Sequence, residues 1–509
     1  MLRALTSQQA RAVEERAVAE QGVSLTALMR AAGAAVAREL ADRIPEGSVV
    51  VLAGGGNNGG DGWVAASELH AAGRQVRVIS LRDPAQLGGI AGDAAAEAIA
   101  SGVRWSVQGE PPTTDALRGE AVVVDALLGI GASGPLRAPL EEWATAVNGC
   151  GAYVVAVDVP TGVNADTGAV PGVAVEADCT VTFTALKRGL VLYPGAALAG
   201  EIVVAELGIA SALSDVADAP EVWTLDKYAS LVPLPAANTH KNARGRVLVV
   251  AGSSAFPGAA ILAARGAMRS GAGYVTLAVP EAVVAVAQSH LLACPVVGLQ
   301  QSRTHTLSSA ALDKVLSLSR DYDAVVLGPG LTVANGAATV ARGLVAQVKA
   351  PLVIDADGLN ALVDARELLE RRSEPTVLTP HPGELARLLG RSASEVQSDR
   401  VSSSAELAGA RRAVVLKGAG TVTSCAGRQV INTSGSPALA TAGTGDVLAG
   451  MIGALLAQGL DPLEAGAFGA FLHGRAGEAA AATFTPMCVT AEDIPEFLAS
   501  AVAEVLTGW

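Results

Sequence analysis

Aromatic residues are scarce. They are 3% of the 509 residues while 50% of the chain is hydrophobic, so the cores must be built from Ala, Val and Leu. So few rings provide no stacking platform for single-stranded nucleic acid. Positive charge is also in deficit: 36 Lys and Arg against 49 Asp and Glu leave a net charge of −13. Surfaces that neutralise phosphate backbones need clustered cations, which excludes nucleic acid as a partner. The five cysteines, Cys150, Cys179, Cys294, Cys425 and Cys488, form no CxxC pair. That pattern offers no zinc site and fits a reducing cytoplasm. The opening MLRALTSQQARAVEER carries no long apolar segment. No uninterrupted apolar run reaches the roughly 18 residues of a membrane helix. The expectation is a cytoplasmic protein with no leader and no membrane span.

Glycine, by contrast, is abundant, with 57 copies, and a chain of this length favours two to four domains of about 150 residues. Thr6 and Gln9 predict a capping box for a first helix, and LTALMRAAGAAVAREL a second. Apolar strands then alternate with helices: SVVVLA, RQVRVISL, EAVVVDALLG and GAYVVAVDVP. Strands apolar on both faces predict a mostly parallel sheet covered on both sides. The pattern weakens over residues 210–245, and the domain junction is expected in the first half of that stretch. A fresh α/β series follows, with GRVLVVAGS, YVTLAVP, DAVVLGPG, PLVIDADG, TVLTPHPGE and AVVLKGAG. Glycine-rich strand ends in both halves suggest a duplication, but the loop chemistries differ too much to claim a repeat.

The segment GGGNNGGDG, residues 54–62, follows the first strand of the N-terminal half and opens a helix. Gly54, Gly56 and Gly59 match GxGxxG, and Asp83 lies beyond the second strand, where a ribose-binding acid would sit. Free N–H groups at a helix N-terminus attract anions, and glycines let a phosphate approach them. A tight turn without ligand would need neither Asn57 and Asn58 nor Asp61. Two more strand ends carry acids: Asp125 precedes a glycine loop at residues 129–135, and DVPTG holds Asp158 and Thr161. Ligands in open α/β sheets bind at such strand ends.

GGGNNGGDG, VVVDALLGIGASGP, AVDVPTGVNADTG and TFTALKRGL closely resemble the epimerase domain of the NAD(P)H-hydrate repair system, over about residues 1–215. The resemblance implies a Rossmann-like three-layer domain. It also implies an activity that interconverts the R and S forms of nicotinamide cofactors hydrated at C6. Asn57, Asn58, Gly59, Gly60 and Asp61, with Gly129, Ile130, Gly131, Ala132, Ser133, Gly134 and Pro135, would hold the hydrated dinucleotide. Asp158 would contact it near the reacting ring and is the candidate proton shuttle. Asn58, Asp125 and Thr161 would coordinate potassium, a hard cation suited to oxygen ligands. Thr161 stands where Ser is common, which keeps the hydroxyl. Arg30 replaces a common acid in the helical segment, which bears on assembly contacts more than on chemistry. Lys187 is a secondary candidate, read first as a solvated surface lysine.

Downstream, TAGTGDVLAG turns through Gly443, Thr444 and Gly445 into a helix beginning near Asp446. Bare N–H groups there form an anion hole, and Asp446 stands where a phosphate-accepting hydroxyl could approach. No Walker A pattern is present. VLKGAGT supplies Lys417, VVLGPGL Gly328 and Gly330, VIDADGLNAL Asp355, Asp357 and Asn360, and TPHPGE His381 and Glu384. The other histidines, His70, His240, His290, His305 and His473, show no metal-ligand spacing. With HKNARGRVLVVAGSSAFPGAA, these segments resemble the ADP-dependent NAD(P)H-hydrate dehydratase over about residues 225–505, which implies a ribokinase-like α/β domain. By that resemblance Ala260, Gly330, His381 and Asp446 contact the hydrated cofactor. Lys417, Gly418, Ala419, Gly420, Thr421 and Gly445 contact the adenine nucleotide. Ala442 departs from the usual GGTGD, and SGSP replaces a segment that usually contains Asn-Pro.

Together these imply a bifunctional isomerase and lyase acting on NADHX and NADPHX, with ADP as co-substrate, Mg²⁺ in the second domain and K⁺ in the first. A homo-oligomer is expected. The competing readings are a small-alcohol kinase, a non-catalytic scaffold with an eroded N-terminal site, and a plain NAD dehydrogenase. The attached NNGGDG domain speaks against the first, and the retained Asn58, Asp61, Asp125 and Asp158 against the second. The kinase-like half speaks against the third.

Overall fold

A computed structural model describes residues 1–107, 111–334 and 336–507. The chain divides into two compact units, Leu2–Ala219 and Pro220 onward, so the break falls in the first half of the weakly patterned stretch.

The N-terminal unit opens with Leu2–Leu5, which pairs in parallel with Leu186–Lys187. The helix Ser7–Gln21 follows, closed at its start by the expected capping box between Thr6 and Gln9. Its main sheet has seven parallel strands. In spatial order these are Arg104–Val107, Val76–Ser80, Val49–Ala53, Val122–Ala126, Tyr153–Val157, Cys179–Phe183 and Glu201–Ala205. The period of two sends Val49, Val51 and Ala53 into a core with Val36, Leu40 and Trp63. Val50 and Leu52 face the opposite core with Leu117 and Trp143. Val49–Ala53 and Val122–Ala126 are neighbours whose chains leave in opposite directions along the sheet. Such a reversal opens a crevice at the strand carboxyl ends, and both glycine loops start there.

The C-terminal unit repeats this logic. Its strands run Val296–Leu299, Tyr274–Pro280, Arg246–Val250, Ala324–Leu327, Leu352–Ile354, Thr376–Leu378 and Arg412–Leu416, all parallel. Val422–Cys425 and Arg428–Ile431 extend the sheet antiparallel, and Glu221–Val222 pairs with the last. Numbered along the chain among themselves, the seven strands from Arg246–Val250 to Arg412–Leu416 and the seven of the N-terminal sheet have one spatial order, 3-2-1-4-5-6-7. The helices Pro257–Arg269 and Thr444–Ala457 lie against one face in close contact. A Cβ at Gly450 would stand 1.9 Å from the Ala263 carbonyl oxygen, and one at Gly266 2.3 Å from that of Val447. Among the described residues, no helix is long and apolar enough to cross a membrane.

Candidate active sites

In the N-terminal unit the crevice is a cavity of about 780 Å³. Gly55, Gly56, Asn57, Asn58 and Asp61 line it from the first glycine turn, Gly129, Ile130, Gly131 and Ala132 from the second, and Asp158 from the next strand end. Ser133, Gly134 and Pro135 continue the second loop as exposed residues outside that lining. The helix after the first turn is Asn57–Ala71, with Gly56 as its cap. Its first N–H groups have no intrahelical partner and face the crevice. Gly59 and Gly60 are buried instead. A Cβ on Gly59 would meet the Gly54 carbonyl oxygen at 2.0 Å, and one on Gly60 the Met29 methyl at 2.5 Å. These two glycines let helix, turn and neighbouring helix close on one another. Asp83 caps a short 3₁₀ turn through Ala85 N–H at 3.0 Å, so its carboxylate already has a structural use.

Asp125 and Thr161 meet, Leu128 N–H donates to Thr161 Oγ1 at 3.1 Å, and Asn58 Oδ1 stands 3.0 Å from where a Cβ of the next residue, Gly129, would be. Asp125 is fully buried and accepts hydrogen bonds from the Thr161 hydroxyl (2.7 Å), the Thr161 N–H (2.8 Å) and the Leu127 N–H (3.2 Å). Burial pushes its carboxyl up to about 6, against the pull of those donors. Among the described residues it has no ion-pair partner, and the buried Asn58 side-chain nitrogen has no hydrogen-bond partner.

Asp158 sits at φ 67°, a left-handed conformation that costs a non-glycine residue about 1 kcal/mol or more and concentrates at functional sites. Its carboxylate is held by Lys187 Nζ at 2.6 Å and accepts from the Thr182 hydroxyl at 3.0 Å. Lys187 is 3% exposed and also donates to Thr182 Oγ1 and the Phe183 carbonyl. The reading of Lys187 as a surface lysine is therefore corrected. The strand Leu186–Lys187 turns its side chain inward, where the carboxylate offsets the cost of burying an ammonium.

In the C-terminal unit the strand-end residues meet around Asp446, which lies in the first turn of the helix Thr444–Ala457. Lys417 Nζ binds Asp355 Oδ1 at 2.7 Å and stands 3.1 Å from where a Cβ of Gly445 would be. Asp355, 1% exposed, also accepts from Thr379 Oγ1 at 2.8 Å. Burial pushes Asp446 up to about 7, Asp355 adds to this, and Lys417 opposes it. Ala260 is buried in the helix Pro257–Arg269, and Gly330 abuts the start of that helix, its virtual Cβ 2.9 Å from Ala259 Cβ. His381 caps the helix Pro382–Leu389, with Nδ1 accepting from Gly383 N–H (3.0 Å) and Glu384 N–H (3.3 Å). That leaves Nε2, 3.5 Å from Glu384 Oε1, as its outward nitrogen. Burial lowers its pKa, favouring the neutral ring.

The turn Lys417–Thr421 rests on a residue that sequence reasoning missed. Arg400 is 5% exposed and donates to the carbonyls of Leu416 (2.8 Å), Lys417 (3.1 Å) and Gly420 (3.2 Å). In the sequence it is one arginine in a polar helical segment, with no motif to mark it. Gly418 at φ 127° and the hydrogen bond from Thr421 Oγ1 to the Gly418 carbonyl (2.8 Å) complete the turn. An Arg400→Met chain is expected to raise KM for ADP about tenfold with kcat changed less than threefold. Each orphaned carbonyl costs about 1–3 kcal/mol, so the turn rearranges. Steady-state kinetics over a range of ADP concentrations measures this. His473, expected to be no ligand, is buried beneath the Thr444 turn and pushed down to about 4, so it is a neutral core residue.

Two family models match the chain: residues 25–189 match the YjeF-related protein N-terminus, and residues 247–499 match the NAD(P)H-hydrate dehydratase family. A curated relative from Thermofilum pendens, the bifunctional NAD(P)H-hydrate repair enzyme Nnr, is 40% identical over 477 residues, covering 92% of this chain and 90% of the relative. The enzyme of the same name from Salinibacter ruber is 38% identical, covering 98% and 96%. The chain belongs to the bifunctional NAD(P)H-hydrate repair enzyme family. Among solved structures it is similar to the ADP/ATP-dependent NAD(P)H-hydrate dehydratase from Bacillus subtilis co-crystallised with ATP/Mg²⁺. That similarity is 29% identity over 56% of this chain and 99% of that one, with a TM-score of 0.49. As a member of this repair family the chain is a bifunctional enzyme, with the epimerase chemistry in its first domain and the dehydratase chemistry in its second.

Proposed function

We propose that residues 1–215 epimerise (R)- and (S)-NAD(P)HX and that residues 225–505 dehydrate the S form with ADP, giving NAD(P)H, AMP and phosphate. The observation that carries this reading is Asp446, half-buried at a glycine turn beside Lys417 and pushed up by desolvation to about 7. Such a carboxyl releases and takes protons near neutrality, as a general base must. The C6 hydroxyl leaves poorly by itself. Asp446 takes its proton as the oxygen attacks the terminal phosphorus of ADP, and the bond to AMP breaks. Phosphate then departs from C6 with the bonding pair while the N1 lone pair forms C6=N1, and loss of a C5 proton restores the dihydronicotinamide. The N–H groups of Gly443 and Gly445 and the Lys417 ammonium face the phosphoryl charge. Lys417, Gly418, Ala419, Gly420, Thr421 and Gly445 hold the nucleotide, and Ala260, Gly330 and His381 the hydrated cofactor. A Mg²⁺ bound with the nucleotide would neutralise phosphate charge.

In the first domain the helix start at Asn57 and the loop Gly129–Pro135 hold the dinucleotide, and Asp158 moves the proton carried by the C6 oxygen. Asn58, Asp125 and Thr161 fit a potassium ion: the set is rich in hard oxygen, and the buried Asp125 lacks a counter-charge among the described residues. A potassium ion held there would offset negative charge beside the pyrophosphate. Thr161→Val removes one oxygen and a donor to Asp125. It is expected to abolish the potassium dependence of epimerisation and to lower stability by about 1–3 kcal/mol, read from denaturant midpoints with and without potassium. A homo-oligomer in the cytoplasm completes this reading; the five free cysteines, four of them buried, are consistent with a reducing compartment.

The test is regeneration of reduced-nicotinamide absorbance from mixed (R)- and (S)-NADHX with ADP and Mg²⁺. Complete recovery, faster than spontaneous epimerisation, supports both activities. A stall after the S fraction sinks the epimerase assignment. No recovery with ADP or ATP overturns the dehydratase assignment and favours a small-alcohol kinase.

A further inference from the structure

The helix Ser7–Gln21 precedes the region matched by the family model of the N-terminal domain. It nonetheless forms one wall of the cavity, through Arg11 and Glu14. The helix is pinned there. Ser7 donates from its N–H to Asp166 Oδ1 at 2.5 Å and from its hydroxyl to Asp166 Oδ2 at 3.1 Å, joining the helix start to the segment that follows Asp158. Ala10, Val13 and Ala17 pack in one core with Ala185, two residues before Lys187. A Cβ on Gly131 would stand 3.2 Å from the Arg11 guanidinium, so the helix also closes over the second glycine loop. Glu14 thereby lines the same cavity as Asp158. Among the described residues its carboxyl has no hydrogen-bond or ion-pair partner.

Inverting a centre that bears a hydroxyl needs a proton given where the oxygen leaves and a proton taken where the new oxygen arrives. One carboxylate does not serve both ends at once. Asp158 is locked to Lys187 at 2.6 Å. A second, unpaired carboxyl on a different wall of the same cavity completes the pair. We propose that Glu14 is the second acid–base residue of the epimerase, giving the proton to the departing C6 hydroxyl while Asp158 serves the entering water. The inference rests on the reading of Asp158 as the base.

The step balances. The Glu14 carboxylic acid protonates the hydroxyl, the C6–O bond breaks with its pair leaving on water, and the N1 lone pair forms C6=N1. Water adds to the other face of C6, Asp158 takes its proton, and the π pair returns to N1. Glu14 ends as carboxylate and Asp158 as acid, ready for the reverse passage from the other epimer. Nothing is oxidised or reduced. The electrostatics agree: burial raises the Glu14 carboxyl, Lys187 and Arg11 oppose this, and Asp158 and Glu15 add to it. Divergent environments for two carboxyls in one site are the signature of an acid and a base. Asp61, the other acid on the cavity wall, is also raised by burial, with Asp158 and Glu14 adding and Lys187 opposing, and it serves as the comparator.

The experiment uses the full chain with mixed (R)- and (S)-NADHX, ADP and Mg²⁺, following the fast recovery of the S fraction and the slower recovery of the R fraction. Glu14→Gln is expected to slow the second phase about 100-fold, leave the first unchanged, and lose the fall in rate at high pH that an acid group imposes. Glu14→Asp is expected to recover part of the rate. A second phase within threefold of the parent in Glu14→Gln overturns the proposal. If Asp158→Asn is also unaffected, the reading of Asp158 fails with it; if Asp158→Asn is inactive, only Glu14 is displaced. An inactive Asp61→Asn beside a normal Glu14→Gln moves the acid to Asp61. In water enriched in oxygen-18 the epimerised hydroxyl gains label. Epimerisation without label overturns the step as written.

Discussion

Asp446→Asn is expected to lower the dehydratase kcat by about 10³-fold, within the usual range for removal of a general base, and to leave epimerisation at the parent rate. The substitution preserves shape and removes only the ionisable oxygen. Chromatographic separation of the R and S substrates checks the second part, because the coupled recovery no longer reports it. In the parent the base must be ionised. Burial and the neighbouring Asp355 push Asp446 up to about 7, so the dehydratase rate climbs as pH rises through that value and levels above it. The stability sign is opposite to that of a salt-bridged carboxylate. A carboxyl raised in the folded state stabilises the fold fully below its ordinary value of 3.8, and this is lost as pH rises through about 7. The Asn variant carries no such charge. It should melt at a higher temperature than the parent at pH 8, and the gap should close toward pH 4. A site that trades stability for reactivity behaves this way; a variant less stable than the parent at pH 8 would count against the strained carboxylate.

The parts of these sites visible in the sequence share a property: each is a glycine turn or an acid at the end of an apolar strand. Asn57, Asp125, Asp158 and Lys417 could be picked out because local pattern marks strand ends, which the topology of each sheet gathers at its own rim, and Asp446 because a glycine turn opens its helix. Glu14, Arg400 and the true position of Lys187 were not visible in this way. Glu14 lies on a helix whose polar face reads as solvated until the cavity is seen beneath it. Arg400 acts on backbone carbonyls, which carry no sequence signature. Lys187 lies in a two-residue strand, too short for periodicity to assign a face. The common strand order of the two sheets was hidden for a related reason. Topology is fixed by which strands pair, while the functional loops of the two halves answer to different chemistry and so differ in sequence.

The pairing of Lys187 with Asp158 can be tested by its own disruption. Lys187→Met keeps most of the packed volume but leaves Asp158, 8% exposed, with no cation beside it. Breaking a buried pair from one side costs about 3–5 kcal/mol. A buried carboxyl left unpaired gains a proton instead. Epimerisation is therefore expected to fall by at least about 100-fold, and denaturation of the first domain to come earlier, while recovery from the S epimer continues. The double variant Asp158→Asn, Lys187→Met removes both charges. It should regain much of the stability lost by Lys187→Met alone and none of the activity, because the pair is coupled. If the two changes simply add in stability, the ammonium contributes through packing, and the 2.6 Å contact does not govern the charge of the base.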